Sequence, residues 1–435
     1  MLKTELLRPV RLGRVRRVVG LLVESIGLPD ARLGDLCEIR IREGHCVRSE
    51  VVGFQDEAVL LMPYDEIAGL RVGAGVERIS EGPLVAVGEG LLGRVVDVMG
   101  RPLDGLGPIR TEQWAPLHRD PPNPMLRQRV ERQLETGIRA LDGFLGVGQG
   151  QRLGIFAGSG VGKSVLLGML ARSANSDVNV IALIGERGRE VTEFIKQNLG
   201  AEGLRRSVVI VATGNESALR KSRGAMMATA VAEWFRDRGD RVLLMMDSIT
   251  RVAMAWREVG LAVGEPATSK GYPSSVFGRL PRLLERTGAG ERGTITALYS
   301  VLVDGDDFDE PVADAVRGIL DGHIVLSRKL SEAEHYPAID LLRSTSRVRS
   351  QIMPEDHLRA ATALLRSEAA WRDKEDLIAL DEYQTGADPE TDRMIRIRPH
   401  FLRVLRQTPD ETTSLAETRK VLAHLNRMAD GPDEN

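Results

Sequence analysis

Three rhythms of apolar and polar positions succeed one another along the chain, and each predicts its own architecture. Over the first 85 or so residues, short apolar runs (Val18–Val23, Leu36–Ile41, Glu50–Phe54, Ala58–Leu61) alternate with Gly- and Pro-containing turns. That is strand-and-turn spacing, and it predicts a small β-barrel over residues 1–85. A second domain is expected over 86–350, in which the Pro-rich segment Pro116 to Pro124 is a stiff connection rather than a core element. From about residue 150 to 330, strands are predicted at Leu153–Ala157, Val178–Ile184, Val208–Ala212, Val242–Met246, Ile295–Val301 and His323–Leu326. Amphipathic helical stretches, such as Val191–Asn198 and Gly224–Phe235, lie between them. Strands apolar on both faces belong to a parallel sheet covered by helices on each side, so this is a doubly wound α/β domain with ligands at the strand C-termini.

Past Pro354 the chain is polar and helical. Glu355 and Asp356 suit a helix N-terminus, and Leu358, Ala361 and Leu365 mark one face. Further helices are expected at Asp373–Ala379, His400–Gln407 and Ser414–Met428, within a helical domain of residues 351–435. The tail from Asp430 is expected to be disordered.

Composition narrows the picture. With 42% apolar and 28% charged residues, the 435-residue chain is that of a soluble, multidomain protein. A net charge of −3 gives no general attraction to nucleic acid. Cys37 and Cys46 make no disulfide framework. No apolar run approaches the roughly 20 residues that span a bilayer, and no signal peptide opens the chain. The seven histidines show no metal-ligand spacing. These features predict a cytoplasmic location.

The chemistry is concentrated after the first strand of the α/β region. Residues 157–164 read Ala-Gly-Ser-Gly-Val-Gly-Lys-Ser, a phosphate-binding loop between a strand and a predicted helix, Val165–Ser173. Gly158, Ser159, Gly160, Val161 and Gly162 form a turn whose N–H groups point at one anion. The following helix, from Val165, adds its positive end. Lys163 is placed to reach the β- and γ-phosphates of ATP, and the Ser164 hydroxyl to ligate Mg2+. Ala157 stands where such loops usually begin with Gly, and its small side chain still permits the turn. Chance would produce the pattern in roughly one or two of a hundred chains of this composition.

Two carboxylates complete the expected site. Asp247 ends the apolar strand Arg241–Met246, as a Walker B Asp does when it orients water on Mg2+. Glu186 terminates the strand Val178–Ile184, where a carboxylate polarises water for in-line attack on the γ-phosphate. Glu190 better suits a helix-start role.

The strings FAGSGVGKS, GERGREV, LLMMDSITR, GLAVGEP, GYPSSVF, LVDGDD and ILDGHIVLSRKL resemble the ATPases of bacterial type III protein export. These serve flagellar assembly and the injectisome and are related to rotary ATP synthase catalytic subunits. The resemblance runs from about residue 12 to 425. It implies an N-terminal β-barrel, a RecA-like core, a C-terminal helical domain and a homohexameric ring. By the same resemblance Glu186 is the catalytic carboxylate, while Arg187 and Arg189 line the phosphate side. Arg347, in Ser344–Arg347, is a finger entering the neighbouring subunit's site, and Tyr336 stacks on adenine. The loop Gly264–Pro273, with Ala267 and Lys270 departing from the common pattern, faces the central channel. There Lys270 and Tyr272 would meet a central stalk protein or passing substrate. The basic cluster Arg8, Arg11, Arg14, Arg16 and Arg17 would dock a regulatory, stator-like partner or sit near the membrane. Export chaperones, their substrates and a peripheral contact with the inner-membrane export gate complete the implied partners.

Alternative readings keep the same core. A rotary F- or V-type subunit fits GERGREV, GYPSSVF and the C-terminal EYQTGADPETDRMI and FLRVLRQ less well. A ring helicase would want a basic, aromatic-bearing barrel for single strands, yet aromatics are 4% of the chain and residues 1–85 offer only Phe54 and Tyr64. A non-catalytic ring component would have no need to keep Lys163, Glu186 and Asp247 together.

Overall fold

The computed structural model describes residues 12–80, 82–111, 113–303 and 310–430. Arg8, Arg11, most of Leu302–Asp307 and the tail past Asp430 lie outside the described residues. Six antiparallel strands, β1 (Leu12–Val19), β2 (Leu22–Ile26), β3 (Leu36–Arg42), β4 (His45–Gln55), β5 (Ala58–Pro63) and β6 (Gly75–Ser80), close a barrel in the order β1-β2-β5-β4-β3-β6. Closure removes the free strand edges that short strands would otherwise expose. Alternate residues point inward, and Val15, Val23, Cys37, Ile39, Val47, Val51, Leu61 and Val76 fill the interior. The apolar run Val18–Val23, expected as one strand, is a hairpin corner. Gly20 takes a φ of +57° between β1 and β2, a conformation open to Gly at no steric cost.

The central domain is built on a parallel sheet. Its strands are β7 (Arg94–Asp97), β8 (Arg152–Ala157), β9 (Val178–Glu186), β10 (Ser207–Thr213), β11 (Arg241–Asp247), β12 (Thr294–Leu302) and β13 (Gly322–Val325). A two-residue antiparallel strand, β14 (Thr345–Ser346), closes one edge, giving the order β14-β13-β8-β12-β11-β9-β10-β7. The predicted strands all form, while β7, with two valines between charged ends, was too short to read. The two faces sort residues by parity. Val180, Ala182 and Ile184 join one core with Ala228, Val231, Phe235, Val252 and Trp256. Ile181 and Leu183 join the other with Leu166, Leu167 and Leu170.

The described α-helices of nine or more residues are α1 (Lys163–Ser173), α2 (Ala218–Arg238), α3 (Ile249–Ala262), α4 (Ser274–Leu284), α5 (Pro311–Ile319), α6 (Glu355–Asp373), α7 (Pro389–Leu405) and α8 (Leu415–Asp430). The segment expected as the helix Val191–Asn198 is instead an α turn, Gly188–Glu193, followed by a π turn, Phe194–Leu199. The helix expected from His400 begins eleven residues earlier, at Pro389. Its charged first turns hid the buried stripe Met394, Ile397, Phe401 and Leu405. That stripe, with Leu364, Leu422 and Leu425, extends the core beneath α1, so the C-terminal helices pack on the side of the sheet that carries the phosphate loop's helix.

A deeply buried ion pair lies inside the central domain. The Arg286 guanidinium meets the Glu233 carboxylate in a two-pronged contact (3.0 and 2.7 Å) and also donates to the Leu117 carbonyl at 2.9 Å. Both side chains are 3% exposed. Arg286→Met leaves a buried carboxylate without its cation and is expected to destabilise the protein by about 3–5 kcal/mol, whereas adding Glu233→Gln recovers much of the loss. Urea unfolding of the single and double variants measures both.

Candidate active site

The phosphate loop leaves β8 at Ala157 and enters α1 at Lys163. Gly160 and Gly162 adopt φ of +79° and +90°, left-handed values that let the chain reverse tightly. Val161, 3% exposed, anchors the loop to the core, while Ser159, Gly160 and Ser164 face solvent. The loop thus presents its backbone and the α1 N-terminus to one open space.

Four strand ends converge there. Lys163 Nζ lies 2.5 Å from Asp247 Oδ1 at the end of β11 and 3.6 Å from Glu186 Oε1 at the end of β9. Between β8 and β11 in the sheet, β12 supplies Ser300, whose hydroxyl donates to Asp247 Oδ1 at 2.5 Å. Asp247 is 3% exposed and Ser300 fully buried. Glu186 is set by a local irregularity: β9 slips its register between Ile184 and Glu186, with Gly185 at φ +79°. A Cβ on Gly185 would lie 2.9 Å from Arg251 Cγ, so only Gly fits. Burial, and next the Asp247 carboxylate, push the Glu186 carboxyl up to about 7, while Lys163 pulls it back.

Tyr336 packs its ring against the loop, since a Cβ on Gly162 would lie 3.3 Å from Tyr336 Cε1. Its hydroxyl shares a hydrogen bond with Ser331 Oγ at 2.8 Å. Arg187 and Arg189 point outward at the start of the Gly188–Glu193 turn. There they pair with Glu190 at 3.7 Å and Glu193 at 2.7 Å, their side chains 87% and 86% exposed. Arg347 is not in this site at all. Its backbone N–H donates to the Asp321 carbonyl, and Asp321 N–H donates to the Arg152 carbonyl at the start of β8. The loop lies at the other end of that six-residue strand, about 20 Å away.

Two polar residues at the site escaped the sequence reading. Ser300 sits in an otherwise apolar strand, and a lone hydroxyl there was the only signal. Arg328 lies beside the loop, its Nη2 3.3 Å from where a Cβ on Gly158 would be. The loop expected at the channel is a hairpin, Ala267–Ser269 against Tyr272–Pro273, with Lys270 at its exposed tip. Tyr272 is buried beneath it, under the Arg257 guanidinium. Arg14, Arg16 and Arg17 are exposed on β1. No helix among the described residues is long and apolar enough to cross a membrane.

A glycine loop between strand and helix, a lysine, and carboxylates at the ends of parallel strands define a nucleoside-triphosphate-binding protein of the phosphate-loop class. Residues 137–346 match the nucleotide-binding domain of the ATP synthase alpha/beta family, and residues 15–79 its beta-barrel domain. Residues 353–424 match the C-terminal domain of the type III secretion EscN ATPases. The chain is 52% identical over 423 residues to the flagellum-specific ATP synthase of Bacillus subtilis, covering 95% of each. It is 49% identical over 416 residues to the type 3 secretion system ATPase of Xanthomonas euvesicatoria, covering 95% of this chain and 94% of that one. The assembled ATPase EscN of enteropathogenic Escherichia coli superposes with a TM-score of 0.89 at 41% identity, covering 95% of this chain and all of that one. The same protein in complex with its central stalk EscO gives 0.89 at 42% identity, with the same coverage. The chain therefore belongs to the family of flagellar and type III secretion export ATPases. The C-terminal match to the secretion branch speaks against the rotary-synthase alternative.

The two flanking charges act on Glu186 in opposite senses. Lys163→Met is expected to raise its titration midpoint above about 7, and Asp247→Asn to lower it. Side-chain carbon NMR of the nucleotide-free protein across pH reads both shifts.

Proposed function

We propose that this chain hydrolyses ATP at the Lys163–Glu186–Asp247 cluster, as one subunit of a homohexameric ring that energises type III protein export in flagellar assembly or injectisome secretion. The convergence of a lysine and two carboxylates from separate strands on one phosphate loop carries the reading. The loop N–H groups from Gly158 to Val165 and the α1 N-terminus bind the phosphates. Lys163 exchanges its contact with Asp247 for the β- and γ-oxygens. Tyr336, against the loop, stacks on adenine, and Arg187 turns inward to the phosphate side.

The oxygen donors fit Mg2+. Ser164 and Asp247 are hard ligands, and among the described residues no three His, Cys, Asp or Glu side chains gather to form a protein cage. A divalent ion held here by Ser164 and Asp247 would take its remaining oxygens from phosphate and water, which suits Mg2+. When bound, it draws charge from the phosphate oxygens, with Ser164 and Asp247 as its protein contacts. Glu186, ionised, accepts hydrogen from the attacking water and holds it in line with the γ-phosphorus.

Arg347 explains why a ring is required. Its distance from its own loop leaves the isolated subunit without the finger cation, and the guanidinium of the neighbour's Arg347 supplies it. Such fingers contribute about 10³–10⁵ in rate. The exposed hairpin tip at Lys270 faces a central stalk protein or passing substrate, with Tyr272 bracing it from below. The basic strand β1 offers a face for a regulatory, stator-like partner. Unfolding of export substrates, release of their chaperones and peripheral contact with the membrane export gate follow from the same family reading. So does a cytoplasmic location beside the inner membrane.

Glu186→Gln is expected to bind ATP with near-normal affinity and to lose at least about 10²-fold in kcat. Normal turnover with normal binding would remove Glu186 from the chemistry. In the parent protein, kcat/KM falls as pH drops through about 7, where the Glu186 carboxyl takes up its proton. Activity per subunit is expected to climb with protein concentration as rings form. A flat profile across the assembly range, read beside light scattering, would defeat the shared site.

A further inference from the structure

We infer that Gln151 is the positioning residue that holds the Arg347 finger in place, an inference resting on the shared-site reading above. The strand leading into the finger is slight. β14 has two residues, pairs with β13 through Gly322–Ser346 and His323–Thr345, and has Thr345 exposed at the sheet edge. So short a strand fixes its own geometry poorly. Something else must hold a guanidinium that has to meet a transferring phosphoryl group.

Gln151 is the residue just before β8 and is fully buried. Its amide nitrogen donates to Ser346 Oγ at 2.9 Å and to the Asp321 carbonyl at 3.1 Å. The same Asp321 carbonyl receives the backbone N–H of Arg347 at 2.9 Å. The amide oxygen of Gln151 accepts from Gly148 N–H at 2.8 Å, and Ser346 Oγ donates on to the Gly146 carbonyl at 2.9 Å. Both ends of the carboxamide are therefore engaged, and each donor has a defined acceptor. Gly322 allows the close approach this requires, since a Cβ there would sit 2.3 Å from the Thr345 carbonyl. One buried side chain thus ties the finger strand to the root of β8, whose other end opens into this subunit's own phosphate loop. The loop leaves one end of β8, and the finger segment is hydrogen-bonded to the other.

Replacing the carboxamide by an apolar side chain of similar length removes these bonds and lets β14 shift. Misplacement of a reacting group by about 1 Å costs on the order of 10²-fold. Gln151→Met is expected to lower kcat by about 10–100-fold while KM for ATP stays within about twofold, because its own loop is untouched. Ser346→Ala, which removes the partner hydroxyl alone, is expected to show the same split with a smaller drop, and serves if Gln151→Met does not fold.

The decisive measurement mixes subunits. Lys163→Ala subunits have a dead loop but an intact finger. Rings formed with Gln151→Met subunits are expected to turn over ATP well above either variant alone, because good fingers then reach good loops. Arg347→Ala mixed with Lys163→Ala is the reference pair. If that pair recovers activity and the Gln151→Met pair does not, Gln151 supports its own loop and the inference is wrong. If neither pair recovers, the shared site itself fails and the inference goes with it. A raised KM with unchanged kcat in Gln151→Met would also overturn it.

Discussion

A buried lysine–aspartate contact organises this molecule. Lys163 and Asp247 meet at 2.5 Å with Asp247 almost wholly removed from water, where a carboxylate without a partner would be strongly disfavoured. The contact joins the phosphate loop to the end of β11 across the intervening β12, and Ser300 on that strand completes the bridge. Glu186 adds a second carboxylate within reach of the same lysine, 3.6 Å from its Nζ. The surplus negative charge, on top of burial, is why its proton is held so tightly. The resting site is therefore short of positive charge until a metal–triphosphate complex arrives. On the proposed reading, Lys163 would then turn to the phosphates, and Ser164 and Asp247 would hold the metal.

The surrounding fold can be understood as the means of holding that cluster. Parallel strands put their C-terminal ends on one edge, and residues of both parities are buried, one set under α2 and α3 and the other under α1. The second set continues into the C-terminal helices. Gln407 deepens the connection: its backbone N–H donates to the Tyr336 carbonyl at 2.9 Å, and its side chain reaches the Gly137 carbonyl and the Arg139 N–H. The residue proposed to hold adenine is thus bonded directly to the helical domain. Movement of either body has a physical route to the other.

The opposite ends of β8 divide the labour of a ring. One end forms a site and the other, through Asp321 and Gln151, braces the arginine proposed to complete a neighbour's site. On the proposed reading, a subunit built this way would be catalytically incomplete by geometry rather than by any missing residue. Assembly would then be a condition of turnover, which suits a motor that must not consume ATP before it is mounted on its machine.

The sequence alone determined much of this. A glycine-rich loop ending in Lys163-Ser164 between an apolar strand and a helix has one main chemical use, and apolar runs of strand length separated by helices dictate a covered parallel sheet. Local patterns of that kind depend on neighbours within a few residues, so they can be read without coordinates. Where strand ends meet is a different matter. Residues 163, 186, 247 and 300 come together only because the sheet order β8-β12-β11-β9 departs from chain order. Ser300 and Gln151, polar residues beside apolar strands, acquire meaning only from partners 53 and 195 positions away. The hairpin at Gly20 and the early start of α7 were missed for a related reason: burial, not residue type, marks their register. Position in the chain fixed which groups were available, and long-range packing decided which of them share a charge.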